Sequence, residues 1–117
     1  MGIFKWLDDL PFVRATRVLL AEQDSSRRHL KMEILLTDGS TLFTNEYVAT
    51  GIRKYAFHWQ AADGLLLARW DNAPHYPSLP TFPHHLHRGE VVEPGREVTL
   101  EDVLLMIAEW QQAKEVG

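Results

Sequence analysis

The sequence predicts an α+β fold, a meandering antiparallel sheet of about five strands with a C-terminal helix packed on one face and a short N-terminal helix. Three observations predict it. Several segments alternate apolar and polar residues, which is typical of half-buried strands. Two Asp-Gly pairs separate such segments, a pattern typical of β-hairpin turns. The last segment has helical spacing and begins with a capping signal.

The first half of the chain contains one predicted helix and one predicted hairpin. Its elements are a helix over 2–10, strands over 13–22, 30–37 and 40–48, and a loop over 23–29. Asp38-Gly39 fits a two-residue turn, whose two central residues both need positive φ. Counting back from that turn places Ile34 opposite Phe43 in the core, and Lys31 opposite Glu46 as a pair of opposite charges.

A second hairpin is predicted from strands 54–61 and 65–72, joined at Asp63-Gly64. Its register places Trp59 opposite Ala68 and His58 opposite Arg69. Side chains alternate between the two faces of a strand. The predicted core face carries Tyr55, Phe57, Trp59, Leu66, Ala68 and Trp70, and the other face carries Ala56, His58, Gln60, Leu67, Arg69 and Asp71.

Residues 73–97 are predicted to lack regular structure, since they hold five of the six prolines and four of the six histidines. A loop of this length in a small domain is usually functional or disordered. A helix is predicted over 99–113, with Thr99 as the N-cap and Asp102 three residues on. Its buried stripe consists of Leu100, Val103, Leu104, Ile107 and Trp110 or Gln111.

Length and composition indicate a single domain over residues 1–117 inside the cell. The 117 residues are 45% hydrophobic and 24% charged, which is ordinary for a folded protein. No apolar run is long enough to span a membrane, and Asp8, Asp9 and Pro11 interrupt the place of a signal peptide. We therefore expect a cytoplasmic location and no membrane partner. Without cysteine, the chain cannot use thiolate catalysis or cysteine-ligated zinc.

The charge of the chain is unevenly distributed and does not by itself favour nucleic-acid binding. The net charge is −4, divided into +1 for residues 1–54 and −5 for residues 55–117. A nucleic-acid binder usually presents a basic face, because contacts with phosphates supply much of its affinity. Arg14, Arg17, Arg27, Arg28 and Lys31 could form a local basic patch, although a solvated loop and strand ends are the favoured explanation.

The face that carries His58, Arg69 and Asp71 is the first candidate site. Histidine exchanges protons near neutral pH, arginine binds phosphate through a fork of donors, and a carboxylate can orient either group. Such a set suits cleavage of a phosphodiester through the ribose 2′-hydroxyl. The simpler alternative is a solvent-facing Arg–Asp pair with a histidine that has no role.

The second candidate is the histidine-rich segment. His84, His85 and His87 lie within four residues, and His75 precedes them after Asn72. We expect contact with phosphate or RNA ahead of metal binding, because ligands two residues apart converge only in extended backbone and no paired carboxylate motif accompanies them. A structural role, with the imidazoles hydrogen-bonded to loop backbone, is a third alternative.

Three blocks of sequence resemble the TumE-type toxins of prokaryotic toxin–antitoxin systems. They are Lys54-Tyr55-Ala56-Phe57-His58-Trp59-Gln60, Arg69-Trp70-Asp71-Asn72-Ala73-Pro74-His75 and Phe82-Pro83-His84-His85-Leu86-His87. Thr37-Asp38-Gly39-Ser40 and Glu93-Pro94 are similar as well. The resemblance implies a toxin that inhibits growth when free, and a cognate antitoxin encoded nearby, often a helix-turn-helix protein. The negative net charge is the main departure from what an RNA-cleaving toxin would suggest.

Together these observations predict a metal-independent ribonuclease toxin that needs no cofactor. His58, Arg69, Asp71, His84 and His85 are its catalytic candidates, and Asn72, His75 and His87 its substrate-binding candidates. We expect residues 72–87 to fold over the polar hairpin face and bring His84 or His85 close to His58 and Arg69. A non-enzymatic protein-binding module and a metal-dependent nuclease that uses the histidine-rich loop are the alternatives. RNA and a second copy of the chain are further candidate partners.

Overall fold

The computed structural model describes residues 5–116, with side chains described as far as Ala113. A short helix is followed by seven strands and a long helix. The elements are α1 (Lys5–Asp8), β1 (Val13–Gln23), β2 (Arg27–Leu36), β3 (Thr41–Ala49), β4 (Ile52–Gln60), β5 (Leu66–Asp71), β6 (His85–Arg88), β7 (Val91–Pro94) and α2 (Leu100–Val116). Residues 2–4 of the predicted helix 2–10 lie outside the described residues.

All seven strands form one antiparallel meander in chain order, so the predicted α+β architecture is confirmed but the number of strands is larger than five. The two additional strands, β6 and β7, come from the segment predicted to lack regular structure. Four of its five prolines precede β6, where they interrupt no strand pairing. The fifth, Pro94, lies in edge strand β7, where a missing N–H is tolerated.

The register predicted for the first hairpin is wrong by one residue. Ile34 pairs with Leu42, Lys31 pairs with Asn45, and Phe43 lies opposite Glu33. The Leu36 and Ser40 backbones pair around a three-residue loop in which only Gly39 has positive φ. The turn is therefore not the two-residue type, and Phe43 lies on the face opposite the core.

The second hairpin has the predicted register at its centre, where Phe57 pairs with Trp70, His58 with Arg69 and Trp59 with Ala68. Its loop also has three residues, because the backbones of Ala61 and Leu65 pair across it. A bulge next to Trp59 compensates for the extra loop residue, so the pairs beyond it have the predicted register. The bulge also reverses one assignment, since Leu67 rather than Leu66 packs against the core.

The core lies between one sheet face and the two helices. Trp59 and Trp70 are buried, as predicted, and both stack on Trp110 of α2. The remaining core residues include Met32, Ile34, Leu42, Phe57, Val103, Leu104 and Ile107. Thr99 Oγ1 accepts from the Asp102 backbone and Asp102 Oδ2 accepts from the Thr99 backbone, which confirms the predicted cap of α2. Within residues 5–116, no helix is long and apolar enough to cross a membrane.

Candidate functional site on the open face of the sheet

The sheet surface opposite the helices, here called the open face, gathers the polar candidates. Because side chains alternate along each strand away from the bulges, the neighbours of most core residues point to this surface. His58, Arg69 and His87 lie side by side on β4, β5 and β6. Neighbouring strands are ~4.8 Å apart, so the two histidine backbones flank Arg69 at a separation of ~10 Å.

His58, Arg69 and Asp71 form one hydrogen-bonded network. Arg69 Nε donates to Asp71 Oδ2 at 3.0 Å, and Arg69 Nη1 lies 3.4 Å from His58 Nδ1. On its other side, His58 Nε2 lies 3.1 Å from Gln60 Oε1. A guanidinium and an amide oxygen fix the tautomer, since His58 must accept at Nδ1 and donate at Nε2. The structure therefore brings these three predicted residues together.

Asp71 connects this network to two histidines of β6. Its side chain is only 7% exposed. Oδ1 lies 2.7 Å from His85 Nε2 and accepts from the backbone N–H of Ala73, while Oδ2 lies 3.7 Å from His87 Nε2. His85 donates from Nδ1 to the carbonyl of Pro83. Strand pairing places Asp71 directly opposite His85, with His87 two residues further along the same strand face.

The environment of His87 favours its neutral form. Burial lowers the pKa of this imidazole below its usual value of 6.5, with a smaller contribution from Arg69, while Asp71 acts in the opposite direction. The side chain is still 21% exposed, so that it remains accessible from the open face. Tyr76 packs edge-on against both β6 histidines, with its ring centroid 4.8 Å from that of His85 and 5.9 Å from that of His87.

The other predicted residues lie elsewhere or are fully engaged. His84 hydrogen-bonds to the hydroxyl of Tyr55, a core residue, and stacks on its ring. Burial raises the pKa of this tyrosine to about 12. Asn72 accepts from the backbone of Tyr55 and donates to the carbonyl of Arg53, so that its amide fastens β4 to the end of β5. His75 is exposed and contacts Tyr76 edge-on.

A cleft of about 860 Å³ opens beside the network, between the open face and the segment after β5. Arg69 and Asp71 line it, together with His29, Asn45, Tyr47, Lys54, Ala56, Pro74, Phe82 and Pro83. The paired strands place five cationic residues on the open face, Arg17, Arg27, Lys31, Lys54 and Arg69, and three carboxylates, Glu22, Glu33 and Asp71. The negative net charge therefore does not describe this face.

Sequence reasoning gave one residue of the site a different role and did not identify another. His87 was expected to bind substrate, but strand β6 places it beside Arg69. Tyr76 carried no signal, because its position over two histidines depends on how the loop folds back. The alternation His85-Leu86-His87 was the available signal, since it fits a strand with the histidines on one face and leucine on the other.

Comparison with known proteins identifies the family. The family model described as toxin TumE matches residues 3–111, which is nearly the whole chain. Comparisons with curated proteins and with solved structures give no match. The matched range contains every residue of the open-face network. The chain belongs to the TumE toxin family, whose members are the toxin components of toxin–antitoxin systems.

Proposed function

We propose that this toxin is a metal-independent ribonuclease whose active site is the row His58, Arg69 and His87 on the open face. The observation that carries the proposal is their strand register, which places an imidazole on each side of a guanidinium. Arginine binds phosphate through parallel N–H donors. A phosphodiester held by Arg69 would therefore have one imidazole on each side, an arrangement suited to concerted acid and base catalysis.

In the proposed reaction, His87 is the base. It removes the proton of the ribose 2′-hydroxyl, whose oxygen attacks the phosphorus while the bond to the 5′-oxygen breaks. His58 is the acid and gives its proton to the departing 5′-oxygen. The products are a 2′,3′-cyclic phosphate and a 5′-hydroxyl. The lowered pKa of His87 suits a base, because this imidazole is neutral in the resting protein.

Asp71 and Arg69 prepare this site. The Asp71 carboxylate holds the guanidinium by its Nε donor, so that this bond does not use the terminal nitrogens. The contact between Arg69 Nη1 and His58 Nδ1 is 3.4 Å, at the long end for a hydrogen bond. When a phosphate takes the guanidinium donors, this contact is released and Nδ1 becomes available for the proton that His58 must deliver.

The charge of the open face supports RNA as the target. Five cationic side chains outnumber three carboxylates there, and Lys31 and Lys54 form no ion pair among the described residues, which suits a strand of phosphates. The half-buried ring of Phe43, with its centroid 6.3 Å from that of His58, offers a platform on which a base could stack. A protein partner is the second candidate, because the exposed apolar residues Ile52 and Phe82 also line the cleft.

The test is cleavage of a synthetic RNA by purified protein in the presence of a chelator. We expect products with 2′,3′-cyclic phosphate ends and no cleavage of the matching DNA, which lacks the attacking hydroxyl. His58→Ala, His87→Ala and Arg69→Ala should each lower kcat/KM by about 10²–10⁴-fold. Arg96→Ala is the matched control, because this exposed arginine pairs with Asp102 at the start of α2.

The pH profile separates the two imidazoles. Since the base must be neutral and the acid protonated, kcat/KM should rise and then fall with pH. The rising limb should lie below pH 6.5, because the pKa of His87 is lowered by burial. Full activity in all three site variants, or cleavage only when a divalent ion is added, would reject the proposed mechanism.

The family supports a cognate antitoxin as partner. We propose that it is a helix-turn-helix protein encoded nearby, that both act in the cytoplasm, and that it neutralises the toxin by covering the open face. Co-expression should restore growth, and the complex should protect the cleft in hydrogen exchange. Unchanged exchange around Arg69 in the complex would place the antitoxin elsewhere. Light scattering of the free toxin would test the predicted homodimer.

A further inference from the structure

The most unusual contact in the molecule lies below the open face, between His85 and Asp71. The His85 side chain is 1% exposed, and its Nε2 has no hydrogen-bond partner among residues 5–116. Yet Asp71 Oδ1 is only 2.7 Å from that nitrogen. A hydrogen bond requires alignment as well as distance. The in-plane direction along which Nε2 would form a hydrogen bond therefore does not point at Asp71 Oδ1.

The tautomer of His85 makes the contact between Nε2 and Asp71 Oδ1 unfavourable unless a proton or a cation lies between the two atoms. Nδ1 of His85 faces the carbonyl of Pro83 at 3.0 Å, and a carbonyl can only accept, so Nδ1 carries a hydrogen. In the neutral ring, Nε2 is then a bare lone pair beside a buried carboxylate. A buried acceptor without a donor is unfavourable. Two lone pairs that lie close together but do not point at each other are the arrangement of two ligands directed at a common cation.

His87 supplies a third ligand to the same point. The donor atoms of Asp71, His85 and His87 all lie within 4.8 Å of one another. The two imidazoles come from alternate residues of β6 and the carboxylate from the position opposite His85 on β5. Extended backbone thus brings together ligands that are two residues apart, and the neighbouring strand provides the carboxylate that the histidine-rich segment itself lacks.

We infer that Asp71, His85 and His87 form a binding site for a divalent transition metal such as zinc. Two imidazoles and one carboxylate are a ligand set that zinc accepts, with a fourth position left for water. Histidines that bind metals usually donate their other ring N–H to a backbone carbonyl or a carboxylate, as His85 does to Pro83. Arg69 would stay on Oδ2, leaving Oδ1 and the two nitrogens for the ion.

The ligand atoms must move to accept the ion. Neighbouring ligand atoms in tetrahedral zinc sites are ~3.3 Å apart, given ligand distances of ~2.0–2.1 Å. The 2.7 Å contact between Asp71 and His85 must therefore open by ~0.6 Å, and ligand atoms as far apart as 4.8 Å must approach by ~1.5 Å. Access is from the side of His87, which is the most exposed of the three residues. The ring of Tyr76 lies beside both imidazoles.

Metal binding has a consequence that rests on the proposed ribonuclease function. An ion bound to Nε2 of His87 removes the lone pair that would accept the 2′-hydroxyl proton. Zinc should therefore inhibit cleavage, and a chelator should restore it.

Cobalt titration of the untagged, metal-stripped protein tests the site directly. We expect a visible d–d absorption that saturates at one equivalent and is competed by zinc. His87→Ala and Asp71→Asn should each weaken binding by at least about 100-fold, since even residues that only support a metal ligand are worth 10–100-fold. His29→Ala is the control, because this histidine bonds to Asn45 outside the cluster.

Imidazole ¹⁵N spectra provide a second readout that does not depend on a buried variant. On addition of zinc, Nε2 of His85 should shift while Nδ1 keeps its hydrogen. If Nε2 instead carries a hydrogen at pH 7 and neither spectrum nor absorption responds to metal, His85 is an imidazolium paired with Asp71 and the metal site is rejected. Retention of cobalt binding in His87→Ala would reject it as well.

The metal-binding and cleavage measurements can reject the metal site and the ribonuclease separately. Stoichiometric metal binding by a protein that cleaves no RNA would leave the metal site in place and reject the ribonuclease. Cleavage in chelator by a protein that binds no metal would do the reverse. Zinc-stimulated cleavage would overturn the inferred inhibition together with the metal-independent mechanism.

Discussion

The hairpin β2–β3 and the hairpin β4–β5 begin from nearly the same turn sequence and end in different registers. Each has an Asp-Gly pair in a three-residue loop, with φ of 89° at Gly39 and 90° at Gly64. In the first hairpin, pairing runs without interruption from Leu35 and Thr41. In the second, the bulge beside Trp59 adds one residue to β5.

The bulge determines which face carries the polar residues. A shift of one residue moves every side chain to the other face of a strand. The three-residue loop moves Phe43 away from the core, and no bulge brings it back. In the second hairpin, the bulge restores the pairing of His58 with Arg69 that the Asp-Gly position alone predicted. The site therefore depends on a local irregularity that composition does not reveal.

Cysteine cross-linking of β2–β3 should give the largest effect, since it distinguishes the observed register of this hairpin from the predicted one almost completely. The chain has no cysteine of its own. Lys31→Cys with Asn45→Cys should oxidise to a disulfide, because these residues pair directly on the open face. Lys31→Cys with Glu46→Cys should stay reduced, because Glu46 points to the other face.

Mobility on a non-reducing gel, with and without a mild oxidant, measures the outcome. Preferential cross-linking of the second pair would restore the two-residue turn and overturn the register of β2–β3.

Removal of the Trp70 ring should have the next largest effect. This side chain is 2% exposed and stacks on Trp110 at 5.7 Å. Trp70→Ala should lower the free energy of unfolding by about 3–5 kcal/mol, the usual cost of deleting a large aromatic core residue. Urea unfolding measures it, and a loss below 1 kcal/mol, a bound set by the ±0.5 kcal/mol expected of surface changes, would show that the core face of β4–β5 is wrong.

The residues that sequence reasoning placed correctly are those whose faces are set by dense apolar alternation. Trp59 and Trp70 could be assigned to the core because each lies within a run of alternating large apolar residues. The cap at Thr99 could be predicted because its two hydrogen bonds are local. Strands β6 and β7 could not, because proline content dominated the pattern although the prolines fall mostly outside the strands.

The candidate site was predictable only in part, for a similar reason. The contact of His58 with Arg69 follows from one hairpin. The contact of Asp71 with His85 requires the chain to leave β5, turn through thirteen residues and return in a particular register. His84 and His85 are adjacent in sequence, and only the start of β6 decides which of them faces Asp71 and which faces Tyr55.

Substitutions at two adjacent residues of β3 sharpen the comparison of the hairpins. Leu42 is fully buried opposite Ile34, whereas Phe43 is half-buried on the open face. Leu42→Ala should cost about 2–5 kcal/mol, as for other buried leucines, despite removing the smaller side chain. Phe43→Ala should cost about 1 kcal/mol, near the centre of the range for single substitutions.

The sign of this difference is the test, since the predicted register gives the opposite order. Chemical denaturation of both variants under the same conditions would measure it. A larger loss for Phe43→Ala would return Phe43 to the core.

Substitution of the aspartates in the two loops should give the smallest difference in stability, and its dependence on pH is the test. Asp38 accepts from the backbone and hydroxyl of Ser40 and from Gln111 of α2, whereas Asp63 accepts only from the backbone of Leu65 among the described contacts. Ser40 in turn accepts from Trp59 Nε1, so the first loop is tied to both the helix and the second hairpin. Asp38→Ala should cost about 1–2 kcal/mol and Asp63→Ala about 0.5 kcal/mol, given ~0.5–1.5 kcal/mol for each hydrogen bond and the exposure of both loops.

The pKa of Asp38 sets where this difference disappears. Burial opposes ionisation, but the hydrogen bonds from Ser40 and Gln111 outweigh it and hold the pKa below the usual 3.8. The unfolded chain therefore takes up its proton first as the pH falls. The stabilisation is fully present above pH 3.8 and is lost as the pH falls through the pKa of the folded state. Unfolding experiments at pH 7 and pH 3 should show a smaller gap between wild type and Asp38→Ala at pH 3. An equal gap at both pH values would mean that the charge of Asp38 contributes nothing to the connection between the first loop and α2.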